Sequence, residues 1–289
     1  MAVGDTGSGH FQGSLQEIIA DSKVHFSKAN VCLPLVTVEA REKADSITFP
    51  VYNLGSNQLT SGDITAHSEH DSTAISATAL TSEKKTATMD MYSVRVPIHD
   101  EVLYSSSDEP SQVISQLLGN AVSAKVDSLI VANFDNFSNT ANDTTNGISI
   151  DDIFLALASL QVNNAPAPYS LVLNPRQVYG TYGLSNDLVT SNQFGGSPSS
   201  QDDMLRSGFL GQIAGCDIYT SSEIAISSNN AIGAMFSKMA LGFGYAGQFP
   251  NVEVERDAVR LKTDYVGSMF CGSVEIADTY GVEIQSKVT

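Results

Sequence analysis

Ile47-Thr-Phe-Pro-Val51 and Met89-Asp-Met-Tyr-Ser-Val-Arg-Val-Pro-Ile98 bracket a polar excursion, Leu54 to Thr88, with nothing aromatic between Tyr52 and Tyr92. Ile47, Phe49 and Val51 on one flank, and Val94, Val96 and Ile98 on the other, show the two-residue period of half-buried strands. The excursion itself is mostly Ser, Thr, Gly, Asp and Ala, with scattered apolar residues that cannot build a core. A two-stranded hairpin standing alone is marginal in water, and unstructured loops of this length are uncommon in compact domains unless functional or disordered. The excursion therefore reads as an arm that lies on a neighbouring molecule, which favours an assembly protein over a self-contained enzyme. Leu59, Asp63, Ile64, His67, Glu69, His70 and Ile75 are its candidate intersubunit contacts.

Composition sets the outer limits. The 289 residues, 42% hydrophobic and 16% charged, suit a soluble globular chain with one large or two smaller cores. A formal charge of −17, with 15 Lys and Arg against 32 Asp and Glu, repels phosphate backbones and argues against sequence-specific nucleic-acid binding. An acidic wall still encloses nucleic acid without binding it. Cys32, Cys216 and Cys271 are odd in number and far apart, so they read as buried thiols in a reducing compartment rather than disulfides or a zinc site. The Gly-rich start, Met1 to His10, lacks the charged and apolar regions of a secretory signal, and Ala231–Phe249 is too polar and Gly-rich for a membrane span. The expectation is a cytosolic product with a mobile N-terminal arm.

Further along, Ser14–Ala29 has the spacing of a short amphipathic helix. The strongest helix signal begins at Ser107-Asp-Glu-Pro-Ser and runs without proline to Phe134. Its apolar positions, Ile114, Leu117, Leu118 and Ala121, then Val122, Val126, Leu129, Ile130 and Ala132, recur at helical spacing but drift around the cylinder, as in a helix packed on more than one side. Asp135–Gly147 is polar enough to mark a boundary. Ser149 and Asp152 then form a capping box, Tyr169–Leu173 a buried strand, and Asn174-Pro175 a cap with a first-turn proline. Ser185–Ser207 reads as a long loop and Gln212–Tyr219 as one strand. The last forty residues alternate as strands, with a polar turn at Glu255-Arg-Asp-Ala258 between Val252, Val254 and Val259, Leu261.

Pocket chemistry leaves little trace. There is no GxxxxGK[ST], GxGxxG after a strand, GxSxG or HExxH. Gly242-Phe-Gly-Tyr-Ala-Gly247 resembles a phosphate cradle only in its glycines. His67-Ser-Glu-His-Asp71 offers two imidazoles and two carboxylates, so a metal-dependent hydrolytic enzyme using His67, Glu69, His70 and Asp71 is the competing functional class. Its Ser, Thr and Ala surroundings do not read as a helix, and a solvated or intersubunit polar tip is the simpler account. No catalytic residue, metal or cofactor is assigned.

Taken in order, these parts resemble the major capsid protein of tailed bacteriophages of the Hong Kong 97 type. The local phrases Leu171-Val-Leu-Asn-Pro175, Gly208 to Ser222, and Val252-Glu-Val-Glu-Arg-Asp to Asp264 are similar to segments of that family. The resemblance implies an α+β fold with an N-terminal arm (1–32), an extended β-hairpin loop (45–95), a peripheral domain with a long spine helix (33–44, 96–147 and 248–289), and an α/β axial domain (148–247). It implies a shell subunit that forms hexamers and pentamers in an icosahedral virion capsid around double-stranded DNA, assembled in the host cytoplasm without a membrane. It also implies a separate scaffolding protein, a portal, and in some members decoration proteins. Only Lys84 and Lys85 lie on the loop, on its returning limb, so the family's Lys–Asn cross-link is not carried over. An encapsulin-type nanocompartment is the neighbouring alternative.

Overall fold

The fold is that of a computed structural model, which describes residues 30–52, 61–64, 66, 82–101, 110–185 and 212–289. The Ser14–Ala29 helix, most of the Ser185–Ser207 loop and the His67–Asp71 cluster lie outside the described residues.

Two sheets are joined by one long helix. The first sheet has the order β1 (Thr37–Arg41), β11 (Leu241–Asp257), β12 (Lys262–Glu275), β4 (Asp90–His99). The second runs β5 (Thr140–Ala141), β13 (Gly281–Lys287), β10 (Asn230–Ser237), β6 (Tyr169–Leu173), β8 (Cys216–Thr220), β7 (Gln212–Ile213), with β9 (Ile226–Ser227) on β10. A separate two-stranded ladder pairs β2 (Ser46–Tyr52) with β3 (Ser82–Thr88). The described helices are α1 (Pro110–Val131), α2 (Ile150–Val162) and α3 (Pro175–Tyr179).

α1 passes unbroken through Gly119 and is followed by a 3-10 turn at Phe134–Asn136. Its buried residues Ile114, Leu118, Val122, Val126 and Ile130 recur every four positions. At 3.6 residues per turn each step of four winds the stripe by about 40°, so it sweeps nearly half the cylinder along the helix. The drift has a physical cause: Ile114 and Leu118 join Val252 and Tyr265 in one cluster, whereas Val122, Val126 and Ile130 join Phe236, Phe243 and Met269 in another. That second cluster joins the two sheets, with Val172 and Phe236 from one and Phe243 and Cys271 from the other.

The second sheet is covered on one face by α2 and α3, whose Ile153, Ala156, Leu160 and Val178 pack with Leu171, Leu173, Met235 and Ile284. Both helix starts follow the sequence. Ser149 caps α2 by accepting from the Asp152 amide while Asp152 accepts from the Ser149 amide at 2.8 Å, and Asn174 and Gln177 cap α3 in the same reciprocal way.

Four expectations need correction. The two bracketing strands do not pair: β2 pairs with β3, Ser46 opposite Thr88 through Tyr52 opposite Ser82, so the returning limb of the excursion is itself a strand. β4 instead pairs with β12, Cys271 opposite Asp90 through Lys262 opposite His99. Gln212–Tyr219 is a tight hairpin, because Ala214 and Gly215 both have positive φ, the geometry of a two-residue turn matched to strand twist. The polar segment 135–147 is no free linker, since Phe137 is buried and β5 pairs with β13. Finally, β11 runs through Glu255–Asp257, and Val259 and Leu261 lie in the turn, because the Asp257 carboxylate accepts the amides of Val259 and Arg260 and ends the ladder there.

A candidate assembly arm and its seat

The base of the arm is fixed by an uneven hairpin. On β2 the alternation is complete, with Ile47, Phe49 and Val51 buried and Thr48, Pro50 and Tyr52 exposed. Their partners on β3 are Ala87, Lys85 and Glu83, so nearly all the apolar bulk comes from one strand. That bulk needs a floor, and β11 and β12 provide one. A side chain at Gly242 would stand 2.9 Å from the Phe49 ring, and one at Gly244 would stand 2.9 Å from Ile47 Cδ1. Gly244 lies directly opposite Gly272, where a Cβ would meet the Thr88 carbonyl oxygen at 2.1 Å. Three bare positions thus let the hairpin lie against the sheet, while Ala246, Phe270, Val274 and Ile276 close the contact around it.

Gly242 and Gly244 of Gly242-Phe-Gly-Tyr-Ala-Gly247 therefore have a steric role. Phe243 and Tyr245, which alternate with them, turn to the opposite, α1-facing side, where Phe243 is fully buried. Gly247, at φ +74°, lies where the β11–β12 register shifts between Ala246 and Asn251, and bends the strand beyond the seat. The four-stranded sheet is held between α1 on one face and the root of the arm on the other.

Away from the seat the hairpin is polar. Thr48 and Thr86 hydroxyls face each other at 3.4 Å, Lys84 stands opposite Pro50, and Tyr52 is 61% exposed at the last ladder pair. Lys85 lies beside Glu275, whose carboxyl is raised above its ordinary value by burial and by Asp278, with Lys85 acting in the opposite direction. Of the candidate contacts, Asp63 ends a 3-10 turn at Ser61–Asp63 and Ile64 follows it, 81% exposed. Leu59, His67, Glu69, His70 and Ile75 lie outside the described residues, so the structure brings together only the first two. Among the described residues no group of three His, Cys, Asp or Glu is placed to hold a metal ion.

A second anchor fixes the point where the N-terminal segment enters the body. Asp127 on α1 accepts the backbone amides of Val31 and Cys32, both at 3.0 Å, one on each carboxylate oxygen. Burial raises its carboxyl above the ordinary range against the opposing effect of those two bonds. Sequence reading passed over Asp127, yet a carboxylate in the last third of a helix opposes the dipole and needs a tertiary reason. Cys32, Cys216 and Cys271 are free and buried; burial raises all three thiols, that of Cys271 to about 12, so none is a nucleophile at neutral pH. No described helix is long and apolar enough to cross a membrane.

No family model and no curated protein matches this sequence. Solved structures do match its fold. The capsid structure of cyanophage P-SCSP1u is 19% identical, with a TM-score of 0.66 over 90% of this chain and 89% of that one. A structure from Mycobacterium phage Che8 is 17% identical, with a TM-score of 0.65 over 88% and 90%. A virus-like particle from Pyrococcus furiosus is 11% identical, with a TM-score of 0.61 over 94% and 99%. A mixed α+β chain that follows such structures over about nine-tenths of its length has the fold of tailed-bacteriophage capsid proteins.

Proposed function

We propose that this chain is the major capsid subunit of a tailed bacteriophage, of the Hong Kong 97 type, and that its role is structural rather than catalytic. The observation that supports this reading most strongly is the likeness to a phage capsid chain over 90% of this chain and 89% of that one. In this reading residues 1–32 are the N-terminal arm, 45–95 the extended loop, 33–44 with 96–147 and 248–289 the peripheral domain, and 148–247 the axial domain. α1, 22 residues and so about 33 Å long, is the spine helix. The hairpin seated on the glycine floor is the root of the loop, and Leu59, Asp63, Ile64, His67, Glu69, His70 and Ile75 reach a neighbouring subunit.

Subunits gather as hexamers and pentamers in the host cytoplasm, guided by a separate scaffolding protein, and close with a portal into a shell that accepts decoration proteins. The acidic chain encloses double-stranded DNA without binding its sequence. The likeness to the Pyrococcus furiosus particle supports a second reading, a shell of the encapsulin type without a phage genome. Negative-stain microscopy and sedimentation of the purified full-length chain, expressed with and without its phage's scaffolding protein, test the proposal. Closed particles are expected, and a small oligomer in both cases overturns it. Nuclease-protected DNA in particles from infected cells separates the two shell readings.

A further inference from the structure

Two backbone amides of the N-terminal segment, those of Val31 and Cys32, depend on one side chain. Asn30 Oδ1 accepts the Leu33 amide at 2.8 Å, and the Cys32 carbonyl accepts the Leu35 amide at 3.0 Å, so the 3-10 turn at Leu33–Leu35, with Pro34 inside it, closes on itself. The amides ahead of the turn are left over, as at the start of any helix. Each donates to its own oxygen of Asp127 on α1, 96 and 95 residues along the chain.

That carboxylate belongs to a residue only 4% exposed. An ion taken out of water is costly unless an opposite charge meets it, and here none does. Its third donor is the neutral Cys32 thiol, which burial raises well above its ordinary value and which also bonds to Ser221. Glu223, three residues past the end of β8, adds a like charge. Lys125, two residues earlier on α1, is engaged elsewhere, its ammonium 4.8 Å from the centre of the Tyr92 ring. Burial, with Glu223 behind it, favours the neutral carboxyl more than the two amides favour the charged one. When the segment leaves α1 the carboxyl returns to water and to its ordinary value of about 3.9. The attached state therefore binds the proton more tightly than the detached one, and attachment is strongest in acid and is lost progressively as pH rises through the raised value.

We propose that the Asp127 carboxyl is a proton-linked latch for the N-terminal segment, holding Val31 and Cys32 to α1 firmly in mild acid and loosely near neutrality, so that the segment opens there without the rest of the chain unfolding. The rest of its hold is slight enough for a single carboxyl to matter. Cys32, Leu35 and Val36 pack in the cluster that includes Val126 and Ile130, and β1 beyond them is an edge strand that pairs in parallel with β11 over five residues. The latch concerns one chain and does not depend on the shell reading.

Hydrogen exchange of the purified full-length chain, followed by mass spectrometry and corrected for the pH dependence of the intrinsic rates, tests the proposal. Protection of the peptide containing Val31 and Cys32 is expected to rise as pH falls from about 7.5 to about 5.5, by up to about tenfold for each unit by which the attached carboxyl exceeds the free one. Asp127→Asn does not titrate, so it is expected to remove this dependence from that peptide. Glu223→Gln takes away the like charge without touching the two amides, and is expected to raise protection near neutrality and flatten the profile. Protection in the parent that is flat or falls on acidification, or a profile that Asp127→Asn leaves unchanged, overturns the latch. Should Asp127→Asn fail to fold, an unchanged profile in Glu223→Gln overturns it instead.

Discussion

Replacing Gly272 by alanine tests whether the glycine floor is what seats the arm. The new Cβ would lie 2.1 Å from the Thr88 carbonyl oxygen, 3.0 Å from the Thr88 carbonyl carbon and 3.3 Å from Met89 Cα. These are backbone atoms at the corner where β3 becomes β4, and the Met89 amide is tied there to the Asp45 carbonyl at 3.1 Å. A normal contact needs about 1 Å more room, so the corner must lift and carry Ala87 and Met89, now 1% and 4% exposed, with it. Overpacking of this kind costs about 1–3 kcal/mol, set against about 0.5–1 kcal/mol gained by removing a strand glycine. Gly244→Ala is the milder comparison, because its Cβ meets side-chain atoms rather than backbone and none nearer than Ile47 Cδ1 at 2.9 Å and Ile47 Cβ at 3.1 Å. Urea unfolding of the free subunit should therefore show Gly272→Ala destabilised by about 1–2 kcal/mol net and Gly244→Ala by clearly less. Equal stability for Gly272→Ala and the parent, or a greater loss at Gly244, would refute the seat as the reason for these glycines.

Three other outcomes follow from the same geometry. Replacing residues 54–80 by a short Gly/Ser turn keeps the Tyr52–Ser82 ladder pair, and should leave a folded subunit that no longer forms particles; circular dichroism and microscopy check this, and normal particles would refute the role of the arm. Ala121→Pro, in the interior of α1, should cost at least about 3 kcal/mol by removing a backbone bond and clashing with the preceding turn, measured by urea unfolding. Burial raises the carboxyls of Asp127, Glu275 and Glu283, so the folded subunit holds protons more tightly than the unfolded chain. That contribution is complete below the ordinary carboxylate range near pH 4 and is lost as pH rises through the raised values. Melting temperature should fall from about pH 4 towards neutrality, and Glu275→Gln with Glu283→Gln should flatten the slope; a parent that gains stability over that range would contradict the assignment.

What the sequence disclosed depended on whether a residue's partner was local. The caps at Ser149 and Asn174 are satisfied within three residues, and the drift along α1 is written in one helix, so each is legible from the chain alone. β3 was not, because Ser82-Glu-Lys-Lys-Thr-Ala-Thr88 presents only Ala87 as a buried apolar residue while β2 supplies Ile47, Phe49 and Val51. A strand whose apolar share comes from its partner has no period of its own. The glycine floor was hidden for a related reason: an absent side chain has no meaning until what occupies the space is known, here Phe49 and Ile47, nearly two hundred residues earlier in the chain. Val259 and Leu261 misled in the opposite direction, since apolar residues two apart suggest a strand unless Asp257 is seen closing the turn before them. The same logic sets a boundary on what one subunit explains. Ile47 and Phe49 find their use within the chain and fall to 2% and 4% exposure, whereas Ile64 and Val259 stay at 81% and 94%. The first pair makes the fold; the second pair, on the arm and at the hairpin end, keeps its apolar surface in water among the described residues.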